Sequence, residues 1–173
     1  MNAGGYTDFF CDPRGDSSNT SAPLLLAKID NAKPFTFSAK VTPEFTKEGV
    51  YDAGAVMLYS NEAFWQKLCF EQDERGFHRI VTVKTLETSD DNNHDRIDRT
   101  SVYLKFSSDT EVLGCYYSVN GEDWQLVKIY KNEYPKDLWI GISSQSPKTA
   151  GHTSEFENLI LNGEHVENFR LGK

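Results

Sequence analysis

Short runs rich in Val, Ile, Thr, Phe, Tyr and Trp recur along the chain between clusters of Gly, Pro, Asn and Asp, and helical periodicity is nearly absent. That pattern confines the chain to an all-β fold. The runs include APLLLAKI, PFTFSAKV, YDAGAVMLYS, FWQKLCFE, FHRIVTVKT, TSVYLKFSS, EVLGCYYSV, WQLVKIYK, DLWIGISSQ and SEFENLIL, too many strands for one flat sheet. Two antiparallel sheets packed face to face are expected, within a single domain spanning residues 1–173.

Alternation assigns faces. In PFTFSAKV, Phe35, Phe37, Ala39 and Val41 share one parity and Thr36, Ser38 and Lys40 the other, as in a strand with one side in a core. Val102, Leu104 and Phe106 point inward by the same logic. AGAVMLY and LWIGIS are apolar on both parities, which predicts central strands covered on both faces. SDDNNHDRIDR, Ser89 to Arg99, has turn formers and no apolar rhythm, and reads as a long solvated loop.

The charge balance narrows the partners. With 18 Lys plus Arg against 26 Asp plus Glu, a net charge of -8 repels nucleic-acid phosphates and anionic membrane surfaces, so neither is an expected partner. No apolar run approaches membrane-spanning length, and MNAGGYTDFF lacks the basic and apolar segments of a secretory signal. A cytoplasmic protein is expected. Cys11, Cys69 and Cys115 are odd in number and widely spaced, as fits free buried thiols. No zinc, calcium-loop, P-loop, dinucleotide or nucleophile-elbow spacing occurs, so no metal and no cofactor is expected.

In YYSVNGEDWQLVK, Asn120-Gly121 predicts a type I′ hairpin turn, since both central residues of that turn need positive φ. Ser118 and Trp124 are expected to fix the turn, with Glu122 and Asp123 solvated at its tip. FWQKLCFE is the unusual strand, because one parity places Trp65, Lys67, Cys69 and Glu71 in a row. An aromatic plate beside charged groups suits a groove for a sugar or another flat polar ligand. The same row also suits a Trp covering a neighbouring loop, with Lys67 and Glu71 in solvent. If Ser60 to Ala63 form a four-residue connection with Tyr59 opposite Phe64, Asp52 falls opposite Glu71 as a carboxylate pair. A register slip of one residue would separate them. Glu155 and Glu157 share an outward face, which is ordinary in an acidic chain.

Four segments together, TDFFCDP, YDAGAVMLYSNEAFWQKLCFE, YYSVNGEDW and WIGISSQSP, resemble the family labelled "regulation of enolase". The most telling parts are Asp52-Ala53-Gly54 followed by Trp65-x-Lys67-x-x-x-Glu71, and Ser118-x-Asn120-Gly121-x-x-Trp124. The resemblance implies a concanavalin A-like lectin/glucanase fold, a jelly-roll sandwich of two curved antiparallel sheets, and no established reaction. The resulting expectation is a non-catalytic module binding a carbohydrate or similar polar ligand in a concave groove through Trp65, Lys67, Glu71 and Asp52. The alternatives are a glycoside-active enzyme with Glu71 and Asp52 as its acid pair, and a protein-interaction module.

Overall fold

The computed structural model describes residues 1–173. In chain order the strands are β1 (Asn2–Gly4), β2 (Phe9–Cys11), β3 (Ser18–Thr20), β4 (Leu24–Asp30), β5 (Phe35–Pro43), β6 (Ala53–Asn61) and β7 (Phe64–Gln72). There follow β8 (His78–Leu86), β9 (Thr88–Arg96), β10 (Val102–Ser108), β11 (Val112–Ser118), β12 (Gln125–Lys131), β13 (Asp137–Gln145) and β14 (Gly151–Asn162). Two six-stranded antiparallel sheets result, ordered β1-β14-β5-β10-β11-β12 and β4-β13-β6-β7-β8-β9, with β2 and β3 as a separate hairpin. The fold is the concanavalin A-like sandwich of two curved sheets. It contains no helix long and apolar enough to cross a membrane.

The alternating strands supply the main core. Phe35, Phe37, Val41, Leu104 and Phe106 from one sheet meet Val56, Leu58, Leu68, Phe70 and Ile140 from the other, all buried. Each such side chain contributes roughly 1.5–3 kcal/mol by leaving water. At the crossing of β6 over β5 and β14, a Cβ on Gly54 would lie 2.5 Å from Val41 Cγ1 and 2.9 Å from Ser154 Oγ. The Asp52-Ala53-Gly54 motif therefore marks a point where the sheets close onto backbone. As expected, β6 and β13 are interior strands.

A second, smaller core lies on the outer side of β6, β7 and β8. Ala55, Met57, Trp65, Cys69, Val81 and Val83 are buried there beneath Phe9 and Cys11 of β2. An N-terminal segment that the strand pattern did not include thus covers this face. All three cysteines are free and buried.

Two local expectations are corrected. SDDNNHDRIDR is mostly the edge strand β9, paired with β8 from Leu86↔Thr88 to Arg79↔Arg96 with one irregularity between Arg79 and Val81. Its charged side chains suit an open edge, where they deter pairing with another chain. The 120–121 turn is not a two-residue type I′ hairpin, since Gly121 alone of the two has positive φ, 83°, and the loop runs from Val119 to Trp124. Side chains organise it instead. Ser118 Oγ accepts from Gly121 N (2.9 Å), and Asn120 Oδ1 accepts from the amides of Glu122 (3.0 Å) and Asp123 (2.9 Å). Ser118 Oγ also donates to Asn120 Oδ1 at 2.9 Å. These bonds satisfy backbone groups that a longer loop leaves unpaired.

Candidate functional site

The register of β6 against β7 decides which side chains can meet. Asn61 Oδ1 accepts from Ala63 N at 2.9 Å, forming an Asx turn that reverses the chain between Asn61 and Phe64. A bulge at Ser60 absorbs the extra residue, so Tyr59 pairs with Trp65 rather than Phe64, and Ala53 pairs with Glu71. Gln72 N donates to Asp52 O at 3.0 Å, which places Asp52 opposite Gln72. The expected Asp52–Glu71 pair therefore does not form. Asp52 shares the parity of Gly54 and Val56, whereas Glu71 shares that of Cys69 and Trp65 on the opposite face. The Asp52 carboxylate accepts from Thr149 Oγ1 at 2.8 and 3.0 Å and lies 3.8 Å from His152 Nδ1, a buried arrangement on the other face of the sheet from Glu71. Burial lowers the His152 pKa despite Asp52.

Trp65 is corrected too. It is 0% exposed, Phe9 packs edge-on against it at 5.3 Å between ring centroids, and its Nε1 donates to Glu62 O at 3.1 Å. Its ring is a wall of the second core and cannot serve as a stacking plate. Alternation placed it on the correct face without revealing that β2 covers that face.

Beside this core the same face opens into a cleft of about 670 Å³. Lys67 and Glu71 reach its floor from β7, Gln145 from the end of β13, and Asp91 and Asn93 from β9. Asp8, Phe10 and Asp12 line the N-terminal side, and Tyr51 stands at the rim near Glu74. Lys67 is 3% exposed, and its Nζ donates to Asp8 Oδ1 at 3.1 Å and to Gln145 Oε1 at 2.8 Å. Gln145 Nε2 donates in turn to Glu71 Oε2 at 3.2 Å and to Tyr51 O at 2.9 Å. One glutamine thus ties cation, carboxyl and rim backbone together. Tyr51 has φ of 63°, unusual for a bulky residue, and Gln72 O accepts from its amide at 2.8 Å. Such a conformation costs on the order of 1 kcal/mol and persists because these bonds hold it, keeping Tyr51 at the rim.

The electrostatics follow from burial. Desolvation raises the Glu71 pKa to about 8; Lys67 opposes that shift, while Asp91, Asp8 and Asp73 add to it. Desolvation would lower Lys67, but Asp8, Cys69 and Glu71 outweigh it and hold the ammonium above its usual range. Burial also raises Asp91 and Cys69, which rules out an activated thiolate at this cysteine. Near neutral pH the floor therefore presents an ammonium and a protonated carboxyl, donors for hydroxyl or carbonyl oxygens. No group of three or more His, Cys, Asp or Glu stands at metal-holding geometry.

Of the four residues singled out from the sequence, Lys67 and Glu71 come together at the cleft, and Trp65 and Asp52 do not. Asp8, Gln145 and Tyr51 were missed. Asp8 sits within TDFFCDP, Tyr51 opens YDAGAVMLYS, Gln145 lies in WIGISSQSP and Asp91 in the acidic segment noted above, but nothing in those segments singles the four residues out.

A family model described as "Protein of unknown function (DUF1349)" matches residues 1–163. No curated protein matches the chain. Among solved structures, a functionally unknown protein from Saccharomyces cerevisiae is similar with a TM-score of 0.86 and 18% identity, over 96% of this chain and 88% of that one. Xylan β-1,4-xylosidase from Bacillus halodurans C-125 gives 0.67 and 16%, over 90% of this chain and 31% of the xylosidase. The CBM2 module of the Lactobacillus casei BL23 phage J-1 evolved Dit gives 0.56 and 11%, over 97% and 91%. At these identities the likeness shows the fold, and the chain spans less than a third of the xylosidase.

Proposed function

The chain belongs to the DUF1349 family, and from that premise we propose that it is a non-catalytic module whose cleft binds a carbohydrate. The observation carrying this reading is the floor built by Lys67, Gln145 and Glu71, buried polar groups fixed on sheet strands and turned toward an open cleft. A site of this kind supplies orienting hydrogen bonds at little cost in side-chain ordering. The half-buried Tyr51 and Phe10 take the stacking role that Trp65 cannot fill. The similarity to a xylosidase agrees with this reading at the level of fold. Separation of Asp52 from Glu71 removes the acid pair on which a glycosidase reading depended. The excess of acids in the cleft argues against nucleic acid and anionic membranes as partners. Free buried cysteines suit a reducing compartment such as the cytoplasm.

Calorimetric titration with xylo-, cello- and amino-oligosaccharides, preceded by a glycan array, tests the proposal. A Tyr51→Leu variant is expected to bind about tenfold more weakly with an unchanged unfolding midpoint. Absence of binding across neutral, amino and acidic glycans would overturn it.

A further inference from the structure

The cleft carries more acidic than basic side chains. Asp8, Asp12, Glu71, Glu74 and Asp91 line it against Lys67 and Lys148. Lys67 already pairs its charge with Asp8 and donates to Gln145, so it has one N–H left for a ligand and no charge in surplus for an anion. Across the strand from Glu71, Arg79 is held by Asp73 at 2.6 Å and is likewise occupied. Glu71 itself is 7% exposed, and its only hydrogen bond is the one Oε2 accepts from Gln145, which leaves Oε1 without a partner at the cleft floor. A carboxyl oxygen that faces an open cleft with no protein partner is one that a ligand can engage.

We propose that the ligand is a cationic amino sugar, its ammonium seated between Glu71 and Asp91, in preference to a neutral or uronic-acid glycan. The inference rests on the carbohydrate reading and adds the ligand's charge. An ammonium there gives Glu71 Oε1 the donor it lacks and offsets the surplus of carboxylates. A uronate would face Asp8, Asp91 and Glu74, with Lys67 already paired to Asp8 and only the exposed Lys148 left to meet it. On seating the ammonium, the Glu71 O–H proton leaves to buffer and the carboxylate forms the ion pair. Glu71 holds that proton up to about pH 8 because burial and the neighbouring Asp91, Asp8 and Asp73 outweigh Lys67.

Titrate the protein with a glucosamine trimer, the corresponding N-acetylated trimer and xylotriose at about pH 6.5, where the amine is protonated and Glu71 still carries its proton. Running each in two buffers of different ionisation enthalpy counts the protons released. The expected result is binding of the glucosamine trimer about tenfold tighter than either neutral trimer, with release of up to about one proton per site. In Glu71→Gln the preference for the charged trimer and the proton release are both lost. Equal affinity for charged and neutral trimers, or tight amine binding without proton release, would overturn the inference and leave the carbohydrate reading standing. No binding of any trimer would overturn the inference, and the glycan array, acidic glycans included, then decides the carbohydrate reading.

Discussion

Each outer face of the sandwich buries a lysine, and the two are treated in opposite ways. On the β7 face Lys67 meets Asp8, Glu71 and Gln145, and the β2–β3 segment covers the strand only in part, leaving a cleft at its side. On the β10 face Lys105, 6% exposed, meets no carboxylate. Its Nζ donates to Gly172 O at 2.8 Å and lies 3.6 Å from the Trp124 ring centroid, while Tyr116 OH pins the C-terminal segment by donating to Phe169 O at 2.9 Å. Charge partners hold Lys67 above its usual range, whereas desolvation lowers Lys105 to about 8. A terminal segment that leaves paired charges at an open floor makes a site; one that closes over an unpaired cation makes a seal.

The largest expected effect that separates the faces is on stability. Lys67→Met strands the Asp8 carboxylate and the Gln145 carbonyl and should lower the unfolding free energy by about 3–5 kcal/mol in urea titrations. Lys105→Met loses a bond to one carbonyl and the cation–π contact with Trp124 but also removes the cost of burying an ammonium without a carboxylate, so its change near neutral pH should stay within about 1 kcal/mol. Equal losses in the two variants would break the contrast.

A smaller difference should appear with pH. Because Lys105 is depressed to about 8, the folded state binds fewer protons than the unfolded state between about pH 8 and 10.5, so stability should rise across that window. Lys67 is raised, so its contribution is fully present below about 10.5 and is lost only above it. Wild type should therefore become more stable relative to Lys105→Met by roughly 1–3 kcal/mol between those pH values, read from paired denaturation curves. A constant difference would show that Lys105 titrates normally.

The smallest effect concerns the turn that presents Trp124. Asn120→Ala removes the acceptor for two amides and should cost about 1 kcal/mol, and it should move Lys105 back toward its ordinary range as the Trp124 cover loosens. Nitrogen-15 NMR of the Lys105 ammonium through a pH titration would follow that movement. An unmoved Lys105 would show that the C-terminal segment alone maintains the seal.

Much of this architecture was legible from residue order because alternation is a local property. Phe35, Phe37, Ala39 and Val41 announce a half-buried strand whatever surrounds it. The parity of Trp65, Lys67 and Glu71 was likewise readable, and it placed all three on one face. β9 escaped because an edge strand needs no apolar rhythm: its backbone pairs with β8 while Asp90 and Asn92 alternate with Asp91 and Asn93.

What covers each face belongs to tertiary structure. By itself, the sequence determined the all-β class, the strands with an apolar parity, the turn at Ser118–Trp124 and the common face of Lys67 and Glu71, since each depends on neighbours a few residues apart. Only the assembled fold decided that a bulge at Ser60 parts Asp52 from Glu71, that Phe9 seals Trp65, and that Asp8 and Gln145 converge on Lys67. Those contacts join residues distant in sequence, and a one-residue slip in register reverses the face every paired side chain presents.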